Sequence, residues 1–224
     1  MPVVKTLVRR KPYAKKGQVP DAVKKYVRKA ITKAPELKKY FFGTAQSYLC
    51  DVPYTYNMPY QAGLSTGADP EGDLIGAKMR IKRIMIRGQL TNYQSTTPSD
   101  STNARIMIVK SDKFVTVSSL AYTELFIGGG ATSTVGIPDN NQITVLADKM
   151  VHVQTSITGA NNAVPFEIDV PCNFVQEFAD ISNNYSGKNT NIYLVFCVSN
   201  LTGTSGISTA GGITSRTCVW FTDA

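Results

Sequence analysis

The chain has 224 residues, 42% of them hydrophobic, with a formal net charge of +8, four cysteines and one histidine. That length suits one sizeable domain with a real core, while a lone histidine and cysteines in no Cys-x-x-Cys pair argue against a metal centre built on those ligands. No secretory apolar stretch follows Met1, and the longest unbroken apolar run, 192–198, is far too short to cross a bilayer, so a soluble protein made in a reducing compartment is expected.

The charge is unevenly placed. Residues 1–40 hold 13 Lys and Arg (Lys5, Arg9, Arg10, Lys11, Lys15, Lys16, Lys24, Lys25, Arg28, Lys29, Lys33, Lys38 and Lys39) against Asp21 and Glu36 alone. The segment is therefore +11, which leaves −3 of the chain's +8 for residues 41–224. A basic arm on a slightly acidic body points to a polyanionic partner. Within the arm, residues 1–20 carry three prolines and little to pack, and read as a solvated tail. From Asp21, a candidate N-cap, the apolar residues Val23, Tyr26, Val27, Ala30, Ile31 and Ala34 recur at helical spacing, and Pro35 stops the run. The spacing predicts a basic amphipathic helix over 21–34, with Lys24, Lys25, Arg28, Lys29 and Lys33 on its other face.

Three partners could take such a helix. An anionic membrane would want a thicker apolar face with Trp, Leu or Phe, and a transit peptide would be richer in Ser. Nucleic acid fits the many cations, with Tyr13, Tyr26 and Tyr40 available to stack on bases. The clusters at 9–11 and 15–16 also suit a nuclear-import signal.

After residue 40 the chain reads as short strands between turn-rich loops. Strands are expected at 44–52, 78–92, 104–112, 141–148, 149–157, 164–171, 191–200 and 213–223, with a loop at 53–64 and a short helix at 117–126. In 78–92 the apolar positions are first odd (Met79, Ile81) and then even (Ile84, Ile86, Leu90), which predicts a bulge near Lys82 and Arg83. Eight strands with no strand–helix–strand rhythm predict an all-β, two-sheet antiparallel sandwich, jelly roll or immunoglobulin-like, over 41–224.

Candidate chemistry is sparse. His152 alternates with Met150 and Gln154 in a strand-like run and reads as structural, as do Cys50, Cys172, Cys197 and Cys218. Asp69, Glu71 and Asp73 read as an exposed acidic loop, though their oxygens could meet calcium. The three glycines at 128–130 lack the Lys-Ser/Thr of a phosphate loop. No catalytic constellation, metal ligand set or cofactor motif is visible, and the chain reads as a non-enzyme. Lys78, Arg80, Lys82, Arg83 and Arg87 form the one basic cluster of the body; of these, Arg80, Lys82, Arg83 and Arg87 are expected to meet nucleic acid beside the arm.

The order of these parts resembles the coat proteins of circovirus-like single-stranded DNA viruses. The resemblance is carried by the basic arm, GAKMRIKRIMIRGQLTN (76–92), RIMIVKSDK (105–113), ITVLADKMVHV (143–153) and the closing SRTCVWFTDA (215–224). Coat proteins of plant satellite viruses are similar in arm and fold, and the arm's 10 Lys to 3 Arg is nearer to their pattern. The resemblance implies a single jelly roll, sixty copies closing a small icosahedral shell, and an arm directed at packaged single-stranded nucleic acid, DNA on the circovirus side. It implies a virion protein that passes through the host nucleus, with self and nucleic acid as partners, no membrane and an unidentified receptor. A shell also needs subunit contacts, for which the Tyr- and Met-bearing loop 53–64 is the expected surface. A cellular nucleic-acid-binding protein with a β-sandwich domain is the alternative.

Overall fold

The computed structural model describes residues 20–31, 36–61, 77–92, 101–114, 119–127, 134–154, 162–178, 187–200 and 209–224. It divides into two units, residues 1–35 and 36–224.

The first unit contributes one helix, α1 (Asp21–Ile31). Its first turn is closed by the Pro20 carbonyl, which accepts from the amides of Val23 and Lys24. Pro20 thus takes the cap position expected for Asp21. Asp21 lies instead in the first turn, where a carboxylate meets the positive end of the helix dipole, and it pairs with Lys24 at 3.3 Å. Val23 and Tyr26 are 46% and 75% exposed. Lys24 and Lys25 are exposed as well.

Among its described residues the second unit holds eight strands: β1 (Lys38–Leu49), β2 (Pro53–Asn57), β3 (Lys78–Asn92), β4 (Ser101–Ser111), β5 (Thr144–Gln154), β6 (Ala163–Glu177), β7 (Asn191–Asn200) and β8 (Thr209–Asp223). Two single-turn helices, α2 (Met58–Gln61) and α3 (Tyr122–Leu125), lie in connections. The antiparallel pairs are β1 with β8, β2 with β7, β3 with β6 and β4 with β5. The first half of the body therefore runs back along the second, as a folded ribbon does when it is rolled. Further pairing of β3 with β8 and of β4 with β7 gives two four-stranded sheets, β1-β8-β3-β6 and β2-β7-β4-β5. The body is a jelly roll.

Alternation along the strands builds the core. Met79, Ile81, Ile84, Ile86 and Leu90 of β3 point inward, against Tyr40 and Phe42 of β1, Phe166 and Ile168 of β6, Val219 and Phe221 of β8, and Ile106, Leu194 and Phe196 of the facing sheet. Each large apolar side chain taken wholly out of water stabilises the fold by about 1.5–3 kcal/mol. The expected bulge is present: both of β3's pairings shift register between Ile81 and Arg83. The extra residue keeps Ile81 and Ile84 both inward and puts Lys82 and Arg83 on the other face.

β7 is buried at every residue from Asn191 to Val198. Its alternate side chains Tyr193, Val195 and Cys197 face away from the main core and lie beneath the β4–β5 connection, in a second cluster with Met107, Val109, Leu125, Phe126 and Ile143. A strand covered on both faces reads as one continuous apolar run. Arg105 anchors that cover. It is 8% exposed, makes a two-pronged contact with Asp148 (2.9 and 2.6 Å), donates to the Gly136 carbonyl, and stands 5.6 Å from the Phe126 ring.

Several expectations are corrected here. β1 begins at Lys38 rather than near residue 44. Pro53–Asn57, expected as loop, is a strand: Tyr56 is 9% exposed, packs edge-on to Phe196 and donates to Gln46 at 2.9 Å, and Met58 is fully buried, so neither side chain is a surface contact of this chain. The Tyr60 side chain lies outside the described residues. The strands expected at 141–148 and 149–157 are one strand, β5. None of the four cysteines is in a disulfide, and three are buried; burial pushes the half-buried Cys172 thiol up to about 11. His152 Nδ1 lies 2.7 Å from Asn103 Oδ1. The acidic loop at Asp69, Glu71 and Asp73 and the glycines at 128–130 lie outside the described residues.

Candidate nucleic-acid interface

The outward face of the β1-β8-β3-β6 sheet gathers the body's basic cluster. Strand register arranges this face as rows across four strands. One row is Lys39, Trp220, Arg83 and Pro171; the next is Phe41, Cys218, Met85 and Asp169. A third is Gly43, Arg216, Arg87 and Glu167, and a fourth is Ala45, Thr214, Gln89 and Pro165. Successive rows are two residues, or about 6.8 Å, apart along a strand.

Five cations expected at this face are present on β3, but three are already paired with acids of β6. Lys78 Nζ meets Glu177 at 2.6 Å. Arg83 grips Asp169 with Nε and Nη2 at 2.7 and 2.6 Å, and Arg87 holds Glu167 through Nε at 2.9 Å. These contacts hold the Asp169 and Glu177 carboxyls below their usual range. All three pairs are solvent-exposed, so each contributes little to stability. Lys82 reaches the Asn173 amide oxygen at 3.4 Å, and the exposed Arg80 side chain makes no ion pair among the described residues. The Arg83 guanidinium also lies 4.8 Å from the ring centroid of Trp220, the only tryptophan of the chain.

Sequence reasoning missed three members of this face. Arg216 is exposed and its side chain has no partner among the described residues. Phe41 is 51% exposed with the Lys39 ammonium 5.6 Å from its ring, and Trp220 is half-buried. The signal was present in SRTCVWF, where Arg216, Cys218 and Trp220 alternate with the inward Ser215, Thr217, Val219 and Phe221.

Lys38 departs from the set expected to bind nucleic acid. It is 3% exposed, and its Nζ sits 2.9 Å from Asp223, closing β1 onto β8. An ammonium so enclosed has no access to a phosphate. Tyr40, expected to stack on bases, is instead a core residue whose ring centroid lies 5.8 Å from that of Phe221. Lys5, Arg9, Arg10, Lys11, Lys15, Lys16, Lys33 and Tyr13 lie outside the described residues. Arg28 and Lys29 lie in α1.

The face thus offers unpaired cations, guanidinium planes and exposed rings: the parts that draw a polyanion and stack its bases. Among the described residues no three His, Cys, Asp or Glu gather as a metal site would require, and no helix is long and apolar enough to cross a membrane.

No family model matches the chain, and no curated protein is similar to it. Among solved structures it is similar to one of Desmodium yellow mottle tymovirus, at 10% identity over 95% of each chain with a TM-score of 0.34. It is similar to one of the infectious bursal disease virus Gx strain at 18% identity and a TM-score of 0.33, where it spans 84% of its own length but 32% of that chain. A full particle of Israeli acute paralysis virus gives 11% identity over 100% of this chain and 80% of that one, with a TM-score of 0.30. These likenesses are loose.

Proposed function

We propose that this chain is a viral capsid protein: its jelly-roll body self-assembles into a small icosahedral shell, of sixty copies on the circovirus resemblance, and its arm binds the packaged single-stranded nucleic acid. The observation that carries this reading is the pairing of one jelly roll, residues 36–224, of net charge −2 with an arm, residues 1–35, of +10. A body that repels a polyanion overall and an arm that attracts one divide two tasks between two parts, shell and cargo. The cations of the arm are mostly Lys, which makes point-charge contacts indifferent to base identity, so binding is non-specific and the genome type is set elsewhere; the resemblance favours DNA. The role is structural, not enzymatic, the location is the virion, and the clusters at Arg9–Lys11 and Lys15–Lys16 suit passage through the nucleus.

The test is the size of the expressed full-length chain. Size-exclusion chromatography with negative-stain microscopy is expected to give uniform closed particles that absorb strongly at 260 nm. A monomer or dimer that binds nucleic acid without closing would instead support a non-viral binding protein with a β-sandwich domain.

A further inference from the structure

On the outward face of the β1-β8-β3-β6 sheet the third and fourth rows line a broad basin of about 930 Å³ that is open to solvent. Its floor is made of small residues, Gly43 and Ala45 of β1 and Thr214 of β8, between strands whose other rows carry Phe41, Trp220 and Met85. Its rim carries three cations. Arg87 is held by Glu167, and Lys149 reaches from β5, at the edge of the opposite sheet, to donate to the Glu167 carbonyl at 2.9 Å. Arg216 is exposed and its guanidinium has no partner among the described residues. Glu167, the one acid of the rim, is already neutralised by Arg87.

We propose that this basin seats one nucleotide of a single-stranded nucleic acid, its phosphate on Arg216 and its base over the Gly43–Ala45 floor, with the neighbouring base on Phe41. The proposal rests on the packaging role above and gives it a second contact, on the shell domain itself. A guanidinium with both donating edges open matches a phosphate in two-pronged fashion. The small-residue floor leaves a flat space of the size that small ligands fill, and Phe41 stands one row, about 6.8 Å, along β1, where the next base of an extended strand can stack.

Trp220, two rows from Arg216 on β8, is the chain's only tryptophan, so its fluorescence reports on this face. The test uses octathymidylate and the full-length chain, alongside a full-length variant whose eleven Lys and Arg in residues 1–35 are Gln. Expected are quenching of Trp220 in both proteins and photocrosslinks to the 38–49 and 209–223 segments. In the Gln variant, Arg216→Ala is expected to weaken binding about 5–10-fold and to flatten the log–log salt slope by about 0.7, the share of one phosphate on a single strand. Ala45→Phe, which fills the floor from an exposed position, should weaken it comparably, and Lys113→Ala, an exposed cation just after β4 of the other sheet, much less. Crosslinks confined to residues 1–35, or equal losses from Arg216→Ala and Lys113→Ala with none from Ala45→Phe, would overturn the basin while leaving the arm's role standing. Thymidine 5′-monophosphate binding as tightly as the octamer would overturn it in favour of a mononucleotide site. Failure of the packaging role reads differently: the unaltered chain would form no particles at all.

Discussion

At the scale of single residues, the two ion pairs set most deeply into the body, Arg105–Asp148 and Lys38–Asp223, each tie together segments distant in sequence. Removing one partner of a fully buried pair costs about 3–5 kcal/mol; the cost here is smaller, because Asp223 and Asp148 remain 29% and 33% exposed. Asp51 is the opposite case, a carboxylate that the fold tolerates rather than uses. It follows the isolated bridge between Cys50 and Val198, has a left-handed backbone (φ 58°), and one of its oxygens is buried without a partner. Burial pushes its carboxyl up. A group whose folded pKa lies above its unfolded value favours the native state in acid and ceases to do so as pH rises through the folded pKa, so at neutral pH the ionised Asp51 is a cost. Asparagine tolerates the left-handed backbone and carries no charge. Asp51→Asn should therefore stabilise the body at pH 7 by about 0.5–1 kcal/mol, after allowing for the water that still reaches this group, or roughly 1–4 °C in Tm. Melting curves at pH 3 and pH 7 decide it: the gain must vanish in acid, and a gain equal at both pH values would show that backbone preference alone is responsible.

At the scale of elements, legibility followed periodicity. The phase change in β3 was readable because Ile81 and Ile84 cannot both face inward on an unbroken strand, and the pairing registers place the bulge there. β1 reads as starting later than it does because its first inward residue is Lys38, a cation held inside by Asp223, and no local pattern announces a partner 185 positions away. β2 was hidden in a Tyr- and Pro-rich stretch whose inward side, Tyr56 with a polar tip on Gln46, looks like loop sequence. β5 was cut in two at Asp148–Lys149, charges that belong on an edge strand, where they discourage foreign pairing. β6 was ended early at Pro171, which an edge strand accepts because one side of its backbone has no ladder to complete. The outward face of the first sheet was half legible. Its β3 cations were visible, whereas Arg216, Phe41 and Trp220 join them only through long-range pairing. Gly88 shows how closely that pairing brings the strands. A Cβ there would lie 2.5 Å from the Thr214 carbonyl oxygen, 2.6 Å from the Phe166 ring and 2.9 Å from Ser215 Cβ. The nearest atom is backbone and cannot swing aside, so Gly88→Ala should destabilise by about 1–3 kcal/mol through overpacking, a loss visible in denaturant midpoints. Gly43→Ala, where the nearest atom is 3.3 Å away, should cost clearly less. Equal costs would mean that the strands yield more readily than this packing indicates.

At the scale of the whole molecule, the division at Pro35 sets where the arm can be cut. Removing residues 1–35 takes away eleven cations and Asp21, a net +10, and leaves β1 whole. The shortened chain should melt like the parent body yet co-purify with much less nucleic acid, and the steep salt dependence of the parent should flatten. Extending the cut through Lys39 removes the first β1 pairings and strands Asp223, and should lower the melting temperature as well. The comparison is direct: 260/280 nm absorbance ratios and Tm for the three chains. Unchanged nucleic-acid content after loss of residues 1–35 would transfer the binding role to the body alone.

The place of β8 bears on how the protein is made. It is inserted between β1 and β3, not added at an edge, and it pairs Lys38 with Phe221. Until residues 209–223 have left the ribosome, neither β1 nor the β8-facing side of β3 has its neighbour, and contacts spanning so much of the chain form slowly. A prematurely terminated chain therefore presents two open strand edges and cannot close its core, which makes it a substrate for proteolysis or aggregation. The topology acts as a length check during synthesis, admitting to the folded pool only chains translated through β8.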